Sequence, residues 1–146
     1  MPSRRSRRVY TCQWFVVSKR DVQITRSDTL RPMAIFDLGP IRFVVEHRAV
    51  GADGGPTLRV CDQSGGRELL RFDCFAKNPH WHVDPSGNEV IQKIETVGSP
   101  IDWTLSELRG GLSALLARAE FTAELPGGYD SVLDAVEDAL RNPPTN

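Results

Sequence analysis

Long hydrophobic runs are missing from this chain of 146 residues, and nothing in it approaches the roughly 20 apolar residues a membrane-spanning helix needs. Cysteine is scarce: Cys12, Cys61 and Cys74 form no C-x-x-C pair and no zinc-ribbon spacing. There is no Gly-rich phosphate loop, no G-x-S-x-G and no H-E-x-x-H, which removes the common signatures of nucleotide binding, serine hydrolysis and zinc proteolysis. Ser6-Arg7-Arg8-Val9-Tyr10 has the look of a twin-arginine export signal. The apolar stretch that should follow is only Trp14-Phe15-Val16-Val17, cut off by Ser18-Lys19-Arg20. An odd cysteine count without an export signal leads to the expectation of reduced thiols and a cytoplasmic location.

The composition, 40% hydrophobic and 25% charged, is that of an ordinary globular domain. The net charge of −1 hides an asymmetry. Residues 1–32 hold eight of the 18 Lys/Arg (Arg4, Arg5, Arg7, Arg8, Lys19, Arg20, Arg26, Arg31) but only two of the 19 Asp/Glu, a net of +6. That leaves 10 against 17 for the rest, a net of −7. A basic head on an acidic body argues against nucleic-acid binding by the whole surface. Arg4, Arg5, Arg7 and Arg8 are then the only obvious anion-seeking element, for nucleic acid or an acidic partner.

Residues 1–8 read as a disordered basic arm and residues 9–146 as a single α+β domain. The β-formers between Tyr10 and Ile24 predict one strand. From residue 34 the pattern is an antiparallel β-meander of about five to six strands. These are Ala34–Leu38, Ile41–Val50, Thr57–Asp62, Arg67–Phe75, His80–Asp84 and Glu89–Glu95, with turns at Gly51–Pro56 and Gln63–Gly66. A C-terminal amphipathic helix from Ile101 to Phe121 is expected to cover one face, with Ser99 as N-cap and Pro100 at the first helical position. Gly110-Gly111 in its middle predicts a kink. A short terminal helix over Ser131–Arg141 ends before Pro143-Pro144.

The richest chemistry lies in Arg71–Pro85. With Ala76–Pro79 as a four-residue loop, Cys74 opposes Trp81, Asp73 opposes His82, Phe72 opposes Val83 and Arg71 opposes Asp84. Opposed residues share a face. Leu70, Phe72, Cys74, Trp81 and Val83 then build an apolar face, which makes Cys74 a buried, inert thiol and Trp81 a core contact for Trp103. Arg71, Asp73, Phe75, His80, His82 and Asp84 build a polar one. His47, in phase with Phe43 and Val45, is expected in the core.

His80 and His82 project together from one strand, so with Asp84 they make a candidate metal set for a divalent ion such as zinc, although no cofactor is required. Alternatively, Asp73 orients His82 as a general base, with His80 beside it and Arg71 available to an anionic substrate. A third reading takes the polar face as a solvated sheet surface without chemistry.

His80-Trp-His82-Val-Asp84 resembles the H-x-H-x-D-H opening of the metallo-β-lactamases, but Pro85 stands where their last histidine belongs. The cupin H-x-H pattern fails on the spacing to Glu89. Leu69-Leu-Arg-Phe-Asp-Cys-Phe-x-Lys-x-Pro-His-x-His-x-x-Pro85 and the helix after it resemble an uncharacterised bacterial, actinobacterial-type family of unknown function over about residues 40–121. That resemblance implies a compact cytosolic α+β domain and no particular activity. A looser similarity, confined to the hairpin, links it to TumE-type toxins. Three function classes remain, one of them a structural or regulatory oligomer. Another is a non-catalytic interaction module binding a protein partner. The third is a small toxin-like hydrolase or ribonuclease using Arg71, Asp73, His80, His82 and Asp84.

Overall fold

The computed structural model describes residues 32–144. The expected arm, the expected strand between Tyr10 and Ile24, and Cys12 lie outside these residues.

Six strands form one antiparallel sheet in the order in which they occur in the chain. They are β1 (Met33–Leu38), β2 (Ile41–Val50), β3 (Asp53–Asp62), β4 (Glu68–Asp73), β5 (His80–Val83) and β6 (Val90–Lys93). Each connection is short enough for antiparallel neighbours, so the chain meanders without a crossover. Helices α1 (Pro100–Arg118) and α2 (Asp130–Arg141) pack on one face. The α+β meander with a helix-covered face is therefore the fold.

The start of α1 follows from its sequence. Ser99 Oγ accepts a hydrogen bond from the Ile101 N–H (3.1 Å), and Pro100 occupies a position where no N–H is needed. The expected kink is present: Gly111 leaves the helical conformation (φ −162°, ψ 37°). Leu105, Leu108, Leu112, Leu115, Leu116 and Ala119 are buried against the sheet, with Ile101 partly buried beside them. Across from them stand Leu58, Val60, Leu70, Phe72, Trp81 and Val83. Phe72 stacks on Trp81 (ring centroids 5.5 Å apart, 3° between planes), and Trp103 of α1 closes on Trp81 at 5.7 Å. Trp81 and Trp103 thus join hairpin to helix, as the sequence predicts.

Three local expectations need correction. The segment Asp53–Pro56 is strand, not turn; its glycines serve close backbone approach. A Cβ at Gly54 would lie 2.6 Å from the Arg48 carbonyl oxygen, and one at Gly55 2.5 Å from that of Cys74. His47 is exposed, because the outer end of the β2–β3 ribbon runs beyond the helices that cover its apolar phase. Cys61 is disulfide-bonded and not a reduced thiol, while Cys74 is the free cysteine among the described residues.

Candidate functional site

The face of the sheet turned away from the helices is polar and, over much of its area, buried. In-register pairing aligns Glu46, Thr57 and Asp73 across β2, β3 and β4, and Arg59 with Arg71 on the next row. A bulge between Val60 and Cys61 inserts Leu69 and swings Glu68 onto this face opposite Cys61. Glu68 and Asp73 are only 2% and 1% exposed, and Thr57 is fully buried.

Such burial is tolerable only if every charge is paired. Arg59 binds Glu46 Oε1 through Nη2 (2.8 Å) and Glu68 Oε1 through Nη1 (3.0 Å). Burial alone would weaken the charged form of Arg59, but Glu68 and Glu46 outweigh it and raise its pKa. Arg48 donates to Asp73 Oδ1 (3.0 Å), as does the Thr57 hydroxyl (2.8 Å). Arg71 reaches Asp73 Oδ2 with Nε (3.3 Å) and Glu68 with Nη1 (3.5 Å). Burial pushes the Asp73 carboxyl upward. The His82 and Thr57 hydrogen bonds and the Arg71 and Arg48 charges overcome it, holding the group well below the usual carboxylate range.

Asp73 is also where the histidines meet. His80 Nε2 and His82 Nε2 each lie 3.1 Å from Asp73 Oδ2. His80 Nδ1 is 2.8 Å from the Asn78 carbonyl oxygen, and His82 Nδ1 is 2.6 Å from Glu89 Oε1. Arg71 Nη2 stands 3.1 Å from His82 Nε2. Asp73, His80 and His82 form a cluster whose ligand atoms all lie within 4.8 Å of one another.

The register that assembles this cluster differs from the expected one by two residues. Asp73 pairs with His80, Arg71 with His82, Phe72 with Trp81 and Leu70 with Val83. A shift of two preserves the faces, so the apolar and polar sets survive. Its cause is a long-range tether. Cys74 N–H and Ala76 N–H donate to the Pro56 and Gly54 carbonyls, and the Asp53 carboxylate accepts from the Lys77 and Asn78 N–H groups (2.9 and 2.8 Å). These bonds keep Cys74–Ala76 along β3 and lengthen the loop to residues 74–79.

Of the residues singled out from sequence, Arg71, Asp73, His80 and His82 are brought together. Asp84 is not with them. It sits just past β5 at φ 52°, binds Arg67 Nη2 (3.0 Å), and accepts from the Asn88 N–H (3.0 Å). The pair expected between Arg71 and Asp84 is replaced by Arg71–Asp73 and Arg67–Asp84. Cys74 is buried near the Thr104 hydroxyl (3.6 Å), and burial pushes its thiol up to about 11, so it is protonated and inert at neutral pH. Sequence reasoning missed Glu46, Arg48, Arg59, Glu68 and Glu89. For Glu46, Arg48 and Arg59 the available signal was their alternation on β2 and β3, whereas Glu68 reaches this face through the bulge and Glu89 precedes β6.

A second feature lies beside the cluster. Among the described residues strand β6 ends the sheet, and all four of its own residues are exposed. Val90 and Ile91 are 46% and 58% accessible. Val83 pairs with Val90, as the sequence predicts, and His82 pairs with Ile91. The open edge therefore runs directly past the histidine cluster.

Among the described residues no helix is long and apolar enough to cross a membrane. No curated protein and no solved structure matches the chain. A family model described as a domain of unknown function (DUF7700) matches residues 35–139, which take in the whole hairpin, β6 and both helices apart from the last two residues of α2. The chain accordingly belongs to the DUF7700 family of uncharacterised domains.

Proposed function

We propose that this domain is a non-catalytic interaction module that binds a protein partner along the β6 edge. The observation carrying this reading is the pairing of an open sheet edge with exposed Val90 and Ile91. An unpaired edge offers backbone donors and acceptors to an extended segment, and exposed apolar side chains on both faces give that segment pockets to fill. The polar face supports the reading too. Its carboxylates are engaged by arginines, and Thr57, Glu68, Asp73 and His82 are all withdrawn from solvent, which favours a rigid platform over substrate turnover. A bacterial, actinobacterial-type origin belongs to the same proposal. A cytoplasmic setting does as well, with the Cys61 disulfide as the observation against it, since disulfides persist mainly in oxidising compartments.

A photo-crosslinking residue at position 91, expressed in the native cell, tests this. The expected result is one discrete adduct with another protein, absent when the probe sits at exposed position 107 on α1. No adduct, or the same adducts from both positions, would count against the module.

A hydrolase or ribonuclease reading has one observation in its favour. The His80 side chain is 18% exposed at the rim of the cluster while its Nε2 contacts an ionised carboxylate. Cleavage of RNA by the wild-type protein, abolished in His80→Ala, would replace the first reading.

A further inference from the structure

The tautomers of the two histidines leave a gap in the bonding at Asp73. The Nδ1 atoms of His80 and His82 donate to the Asn78 carbonyl and the Glu89 carboxylate beside them. Both Nε2 atoms point at Asp73 Oδ2 across 3.1 Å. Two ring nitrogens and a carboxylate oxygen crowded together in this way are held by a positive centre among them, either a proton on a ring nitrogen or a cation.

For His82 that centre is available: Arg71 places Nη2 on His82 Nε2 and Nε on Asp73 Oδ2. Among the described residues, the polar group facing His80 Nε2 is the Asp73 carboxylate. A zinc ion bound tetrahedrally at about 2.0–2.1 Å from nitrogen and oxygen ligands sets them about 3.3 Å apart. The observed 3.1 Å spacings are close to that edge length. The outer partners also match what metal-ligating histidines use, with Nδ1–H donated to a backbone carbonyl in one ring and to a carboxylate in the other.

We propose that Asp73, His80 and His82 form a binding site for a divalent transition metal of the zinc class, with Arg71 as the resident cation that the metal displaces. Asn78 and Glu89 orient the ligating rings, and Glu68, already 3.5 Å from Arg71, receives the displaced guanidinium. Access is from the rim, where His80 and Glu89 reach solvent. Asp84, tied to Arg67, takes no part.

The test is a titration of tag-free, chelator-stripped full-length protein with Co²⁺ and Zn²⁺, read by the visible absorption of bound Co²⁺ and its loss on Zn²⁺ addition. Wild-type protein is expected to bind one equivalent. His80→Ala and Asp73→Asn should each lose at least about tenfold in affinity, and Glu89→Gln about tenfold through the outer partner. Arg71→Gln, by removing the competing cation, should bind more tightly than wild type, and His47→Ala should match it. Intrinsic tryptophan fluorescence checks that each variant is folded, and the rim variants His80→Ala and Glu89→Gln decide the matter if Asp73→Asn does not fold. No uptake by either wild type or Arg71→Gln would assign the positive centre to a proton and overturn the site. Uptake undiminished in His80→Ala would place the metal elsewhere and overturn it equally.

Discussion

The two faces of this sheet are both buried, and they are held by different physics. Under the helices, Leu58, Phe72, Trp81 and Val83 cohere through apolar area and aromatic contact, an additive and non-directional stabilisation. On the opposite face, Glu46, Arg59, Glu68, Arg71 and Asp73 cohere through matched charges. A buried network of that kind contributes little beyond an apolar equivalent while intact, yet removing one member leaves a charge with neither partner nor water. The first face is sensitive to volume and the second to balance.

Substitutions can separate these behaviours. Phe72→Ala removes the ring stacked on Trp81 and should cost about 3–5 kcal/mol at any pH near neutrality, read by equilibrium unfolding in urea. Asp73→Ala, which takes from Arg48 and Arg71 a carboxylate that both contact, should cost a comparable amount and, unlike Phe72→Ala, should flatten the acid limb of the stability curve. The sign follows from the depressed carboxyl. Its folded-state pKa lies below the unfolded value, so its stabilisation is complete above about pH 4 and drains away as pH falls toward the folded value. A wild-type acid limb no steeper than that of Asp73→Ala would remove Asp73 as the cause.

Much of the fold was legible in the sequence because strand and helix periodicities speak locally. The β2 limits, the Ser99 cap, the Gly111 kink and the two-faced hairpin all follow from neighbouring residues. What was not legible depends on partners distant in the chain. The hairpin register slips by two because Asp53 ties down Lys77 and Asn78, a contact between residues 24 or 25 positions apart that no hairpin pattern reports. Asp53–Pro56 reads as a turn from its Gly and Pro, although those glycines admit the Arg48 and Cys74 carbonyls. His47 carries the phase of a core residue on a ribbon that has outrun its cover. Arg71, Asp73, His80 and His82 were recognisable as one constellation because parity alone sets the face. Asp84 was lost from it because the chain turns to positive φ there.

The central claim is that the polar face is a buried, mutually paired network and not a solvated surface. Double-mutant cycles on two arginine–carboxylate pairs test it directly. Arg59–Glu68 lies within the sheet face, whereas Arg109–Asp134 joins the helices with Asp134 72% exposed. The expected coupling is above about 1.5 kcal/mol for Arg59–Glu68 and no more than about 0.5 kcal/mol for Arg109–Asp134. Equal, small couplings at the two pairs would contradict it.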